Sequence, residues 1–219
     1  MLPLRDSIYF HGPALATKAL IALCILGFAF QLSIRLDASI ERLALVPALL
    51  LANPLGEGYR LFTSMFAHGS LGHLLGNMWF LWVFGPALEG RLGSGRYLLL
   101  YVLAGLAAAL AQTLFSDPHI PMVGASGAIS GVAGGYFLLF SRAYVLTWFF
   151  PFFLLWLPAS TYLGYWALIQ LVNGLLGLPG VAWWAHLGGF AAGMALAWMF
   201  QPRRPYLTAP SWESWFFYR

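Results

Sequence analysis

The chain has 219 residues, 61% of them hydrophobic and only 8% charged, with a formal net charge of +4 and a mean hydropathy of +0.77. Soluble domains carry about 25% charged residues, so the composition argues for a membrane protein; no basic run interleaves with exposed aromatics, which argues against nucleic-acid binding. A single cysteine, Cys24, excludes an intrachain disulfide and a CxxC zinc site.

Residues 1–15 read as a cytoplasmic N-terminal segment. No short apolar core with a small-residue cleavage site follows, so no removable signal peptide is expected and the first span is retained. Apolar stretches long enough to cross a bilayer are predicted at 16–34, 71–88, 97–115, 124–140, 159–176 and 182–200. They imply an all-α polytopic membrane protein with its membrane domain over 16–200. Between the first two spans, ALVPALLLANPLGEG is too short to cross and is expected to form a half-buried interfacial hairpin. Residues 144–157 (YVLTWFFPFFLLWL) are also apolar, but Pro151 and Pro158 interrupt them. They read as a membrane-hugging connection rather than a seventh span. Residues 201–219 read as a short cytoplasmic tail whose aromatics lie along the inner membrane surface. With six spans and both termini inside, eight Lys/Arg residues fall on the cytoplasmic side and three (Arg35, Arg42, Arg60) outside, the bias that sets orientation.

Polar residues inside spans are costly and mark interhelical bonds or function. Ser126 lies in the first turn of span four and His186 in the first turns of span six. His73 and Asn77 start span two, four residues apart and so on one helical face. Spans two, four and six run in the same direction, so all four residues meet the outer leaflet at similar depth. Span four repeats Gly127, Gly131 and Gly135, and span six repeats Ala185, Gly189, Gly193 and Ala197. Such stripes let two backbones approach closely. Taken alone, Ser126 in its stripe is a packing residue. A lone imidazole in an apolar span needs a partner, and close contact of the two stripes brings Ser126 within its reach.

A serine hydroxyl needs a base to become a nucleophile, and His186 is the candidate. The Ser126 backbone N–H, the Asn77 amide and the His73 imidazole are the available donors for an oxyanion. No carboxylate is placed to orient His186, so the arrangement is a dyad rather than a triad. Other hydrolytic chemistries fail: HExxH is absent, no pair of aspartates lies within a span, and the only lysine, Lys18, is at the inner end of span one. His68, His73 and His186 have no carboxylate or thiolate among them, so neither a metal nor another cofactor is expected.

GASG at 124–127, HLLGN at 73–77, AHLGG at 185–189 and EGRLG at 89–93 stand in order with the spans. Together they resemble the rhomboid intramembrane serine proteases, over roughly residues 58–200. The resemblance implies a six-helix core with a water-filled cavity open to the outside, Ser126 as nucleophile and His186 as general base. It makes Asn77 and His73 the oxyanion-side pair and His68 a structural histidine. Glu89 and Arg91 become fold and loop anchors at the inner end of span two. Gly124 and Gly127 support the nucleophile, and Gly189 and Gly193 let span six pack on span four. In one respect the chain departs from the pattern: some members carry a tyrosine four residues after the nucleophile, against which the histidine stacks, and this chain has Ser130 there.

The implied function is a serine endopeptidase that cuts transmembrane proteins in or near their membrane segments through an acyl-enzyme. Its partners are transmembrane protein substrates and the lipid bilayer. Substrate is expected to enter beside span five, whose Trp166, Gln170 and Asn173 interrupt an apolar face and make Trp166 and Gln170 the candidate gate; interfacial anchoring and helix–helix bonding are the plainer roles. Two rivals predict different sequences. A silent relative that only binds transmembrane segments would be expected to lack the serine or the histidine, and a transporter would show ionisable residues near mid-membrane. The compact form and the lack of an organelle transit signature point to a bacterial inner membrane, with the site facing the exterior.

Overall fold

The structure, a computed structural model, describes residues 1–8 and 12–202. The expectation for the tail therefore falls, from residue 203 onward, outside the described residues. In chain order, β1 (Leu2–Asp6) precedes α1 (Leu15–Ser33). Four short helices follow: α2 (Leu36–Leu43), α3 (Pro47–Ala52), α4 (Pro54–Glu57) and α5 (Arg60–Thr63). Then come α6 (Leu71–Leu92), α7 (Ser94–Phe115), α8 (Ser126–Leu139), the hairpin β2 (Tyr144–Phe149) and β3 (Phe153–Pro158), α9 (Ala159–Leu175) and α10 (Trp183–Phe200). Each apolar stretch predicted as a span forms one of the longer helices. By length and composition α1 and α7 can cross a membrane, and α8 is a shorter apolar helix.

The region between α1 and α6 forms helical turns rather than the expected hairpin. Pro47 and Pro54 each open a helix, the position where a missing N–H costs nothing. Buried Arg60 ties these turns together by donating from Nη1 to the carbonyls of Glu41 (2.7 Å) and Ala44 (3.0 Å) while pairing with Glu57. A two-way bridge between Leu45 and Met122 (3.0 and 2.8 Å) then fastens the region to the segment ahead of α8.

Residues 144–158 form β2 and β3, not a helix. Pro151 cannot sit in a helix interior, and the aromatic residues on either side, with Val145 and Thr147 before it, suit strands. The N-terminal segment joins them: the sheet order is β1-β2-β3, all antiparallel. Pro3 is tolerated because β1 is an edge strand. Trp79 of α6 donates its indole N–H to the Pro3 carbonyl (2.5 Å), and Tyr136 of α8 donates its hydroxyl to Asp6 (2.8 Å), so the sheet is docked on the helices.

Helix α8 lies at the centre of the bundle. A Cβ at Gly189 would overlap the Gly127 carbonyl, one at Gly193 the Gly131 carbonyl, and one at Gly134 the Phe190 carbonyl. Backbone therefore touches backbone along the α8–α10 interface, as small-residue stripes allow. On its other side α8 meets α7, where Gly131 accommodates Ala104 and Gly127 accommodates Ala108. The last turn of α6 anchors α1. Buried Glu89 accepts from the Ala16 N–H (2.9 Å), the Thr17 N–H (2.8 Å), the Thr17 hydroxyl (2.8 Å) and the Ser94 hydroxyl (2.7 Å). A carboxylate on the free N–H groups of a helix start is favoured by hydrogen bonding and by the helix dipole. Arg91 is half-buried in the same turn.

Candidate active site

Ser126 opens α8, and the residues before it fix where it sits. Gly124 adopts φ +120°, and a Cβ there would lie 2.6 Å from His73 Cε1 and 2.7 Å from its Nε2. Only glycine satisfies both the backbone angle and the approach of the ring. Its N–H donates to the Ser64 carbonyl (2.9 Å). The N-cap, Ala125, is fully buried and offers no side-chain cap, so the first N–H groups of α8 lack intrahelical partners. Ser130, one turn on, donates its hydroxyl to the Ser126 carbonyl (2.6 Å). It is thus engaged within α8.

His186 stands in the first turn of α10. Gln112 of α7 supports that turn: it is buried, and its Oε1 accepts from the Ala185 N–H (3.1 Å). The imidazole itself is held from α9. Its Nδ1 lies 2.7 Å from Gln170 Oε1, and its ring stacks on Trp166 with centroids 5.8 Å apart and planes 30° apart. Trp183 meets the ring edge-on at 6.5 Å. An aromatic wall for the histidine therefore exists, supplied by α9 rather than from the position four residues after the nucleophile. Gln170 is turned inward, with only 4% of its surface exposed.

On α6, the Ser70 hydroxyl caps the helix by accepting from the His73 N–H (3.1 Å). Asn77 lies one turn further, 8% exposed, and its amide Nδ2 is buried with no hydrogen-bond partner. The same nitrogen is 3.6 Å from where a Gly124 Cβ would stand. Buried donors are nearly always paired, so an orphan beside Ser126 is a conspicuous exception. His68 packs edge-on against His73 (5.3 Å) and is fully buried. Gln31 of α1 clamps its backbone, accepting from the His68 N–H (2.8 Å) and donating to its carbonyl (3.2 Å). Burial, and then the neighbouring His73, push the His68 imidazole down to about 4, so it is neutral at pH 7.

Ser126, His186, His73, Asn77 and Gln112 all face one cleft of about 960 Å³. No direct hydrogen bond joins Ser126 to His186; such contacts are often long before substrate binds. Glu89 and Arg91 lie at the far end of α6, about 24 and about 27 Å along the helix from His73 at 1.5 Å per residue. Gly127, Gly189 and Gly193 line the α8–α10 contact. Gln31, Ser64 and Gln112 are supporting residues that sequence reasoning missed. The signal was available for the two glutamines, since an amide inside an apolar span needs a partner.

The chain is similar to rhomboid proteins from a plant and from bacteria. It is 36% identical to the RHOMBOID-like protein 4 of Arabidopsis thaliana over 151 residues, which is 68% of this chain and 36% of that protein. It is 33% identical to the Rhomboid protease GlpG of Salmonella paratyphi A over 146 residues, 64% of this chain and 48% of that one. Over 79 residues, 36% of this chain and 15% of its relative, it is 46% identical to the Rhomboid protease GluP of Bacillus subtilis. The chain spans less than half the length of these relatives. The Rhomboid domain matches residues 55–203. That match covers more than half of the sequence and every residue of the cleft named above, and the chain belongs to the rhomboid family.

Proposed function

We propose that the chain is an active intramembrane serine endopeptidase with Ser126 as nucleophile and His186 as general base. The observation that carries this reading is the cleft. A serine at a helix start, an oriented histidine from the helix packed against it and a buried amide donor without a partner converge there. The serine and the histidine are both retained, which favours catalysis over silent binding of transmembrane segments.

The Ser126 hydroxyl oxygen attacks the carbonyl carbon of the scissile peptide as His186 Nε2 takes its proton. The carbonyl oxygen becomes an oxyanion and receives hydrogen bonds from Asn77 Nδ2 and from the free N–H groups at the start of α8, with the helix dipole adding to the field. His73, packed on Gly124, is a further donor and holds the nucleophile's loop. Collapse breaks the C–N bond, and the imidazolium gives its proton to the leaving amine. Water from the cleft then attacks the acyl-enzyme, His186 accepts the water proton, and Ser126 is regenerated as the acid product leaves.

The substrates are membrane proteins whose transmembrane segments unwind at the cleft, because a helix hides its carbonyls in internal hydrogen bonds. Entry runs beside α9. The six longer helices cross the membrane with both termini in the cytoplasm and the cleft open to the exterior, in a bacterial inner membrane. Residues 16–200 are the membrane domain. The test is cleavage of a reporter transmembrane substrate in proteoliposomes. Wild type is expected to cut it, with Ser126→Ala and His186→Ala inactive; cleavage that survives Ser126→Ala would overturn the assignment.

A further inference from the structure

The tautomer of His186 decides whether it can act as a base toward Ser126, and the groups around Gln170 determine that tautomer. Gln170 Nε2 donates to the Trp166 carbonyl one turn back on α9 (3.3 Å), which leaves Oε1 as the atom turned to the imidazole. An amide oxygen only accepts. The 2.7 Å contact therefore requires a proton on His186 Nδ1. Nε2 is then the bare nitrogen with a free lone pair. It is not among the buried unpartnered atoms, and His186 faces the cleft with Ser126. Trp166 walls one face of the same ring, so two residues a single helical turn apart fix both its proton and its plane. His73 and Asp117 are the other titratable groups on this cleft.

We propose that Gln170 is a positioning residue that holds His186 in the Nδ1–H tautomer, as a neutral third member completing the Ser126–His186 pair, with Trp166 as the wall against which the ring is set. This role rests on the proposed peptidase reading and replaces, for Gln170, the gating role that its place on an apolar face suggested. It also explains how the histidine is oriented although Ser130 occupies the place of an aromatic. In a triad a carboxylate does this work and stabilises the imidazolium as well; a neutral amide supplies orientation without the charge.

The test reads the tautomer directly. The full-length protein is labelled with ¹⁵N-histidine in detergent, and the His186 resonances are identified by their loss in His186→Ala. Wild type is expected to show a protonated Nδ1 and a bare Nε2, and Gln170→Leu to shift towards Nε2–H. In parallel, Gln170→Leu should slow modification by a fluorophosphonate by about 10- to 100-fold, the size of effect that losing such an outer partner has on metal-bound histidines. Gln170→Glu restores the acceptor; it should recover labelling and move the acid limb of the pH profile upward, since a carboxylate favours the imidazolium. A bare Nδ1 in wild type would overturn the proposal, as would a Gln170→Leu protein with unchanged tautomer, rate and pH profile. A wild type with the Nδ1–H tautomer that reacts with no fluorophosphonate and cuts no substrate would instead sink the peptidase reading and leave the positioning intact.

Discussion

Residue by residue, the proposed site divides into groups that serve the reaction and groups that hold them. Asn77 belongs to the first. Its amide nitrogen is buried without a partner, so Asn77→Ala removes a donor while relieving an unsatisfied group. The expected result is a fall in kcat of about 10²–10³-fold with thermal stability unchanged or slightly raised; a large drop in stability would make Asn77 a structural residue. Gly124 belongs to the second. Gly124→Ala forces a Cβ into His73 at an unfavourable φ, and should cost about 1–3 kcal/mol in unfolding as well as activity. His68 gives a pH dependence of known sign. Its folded-state value is held near 4 against an ordinary 6.5, so its contribution to stability is complete above about 6.5 and declines as pH falls towards 4. The melting temperature should drop over that window, and His68→Gln should flatten the drop. Ser126, His186, Asn77 and His73 were legible in the sequence because a polar residue in an apolar span stands out. The work of Gln170 was not, since its depth on α9 and its direction towards α10 come from tertiary packing.

Among the elements, the α8–α10 contact carries the geometry. Backbone meets backbone at Gly189 and Gly193, so Gly189→Val has no side-chain slack to exploit. It should separate Ser126 from His186 and destabilise the protein together, checked by unfolding and by cleavage on one sample. The glycine stripes were readable because their four-residue period coincides with a helix face. The hairpin at 144–158 was only half readable: its prolines argued for a membrane-hugging connection over a seventh span, but nothing local to those residues pointed to the pairing with Leu2–Asp6. Strand partners far apart in sequence are a property of the folded chain. Asp6 shows what this docking costs. Burial raises its carboxyl to about 6, despite the Tyr136 hydrogen bond that lowers it. Ionised Asp6 therefore weakens the fold as pH rises through 6, and Asp6→Asn should remove that loss, seen as a higher melting temperature at pH 8 than wild type.

For the whole molecule, the proposed topology places the cleft outside and the β-sheet inside. The sole cysteine, Cys24, is fully buried, so single-cysteine reporters can be read against a quiet background. Leu55→Cys, at a fully exposed site, should react with a membrane-impermeant maleimide in intact cells, and Phe152→Cys, also exposed, only after permeabilisation; the opposite pattern would invert the orientation. Composition made the membrane class legible from sequence alone, whereas the cleft depends on α6, α7, α9 and α10 closing around α8. The most direct test of the central claim is labelling of the purified, detergent-solubilised protein with a fluorescent fluorophosphonate, with the modified residue located by mass spectrometry. The account predicts one adduct, on Ser126, absent in Ser126→Ala and nearly absent in His186→Ala. A folded wild type that forms no adduct and cuts no transmembrane substrate would contradict it, and would make the chain a binder of transmembrane segments rather than a protease.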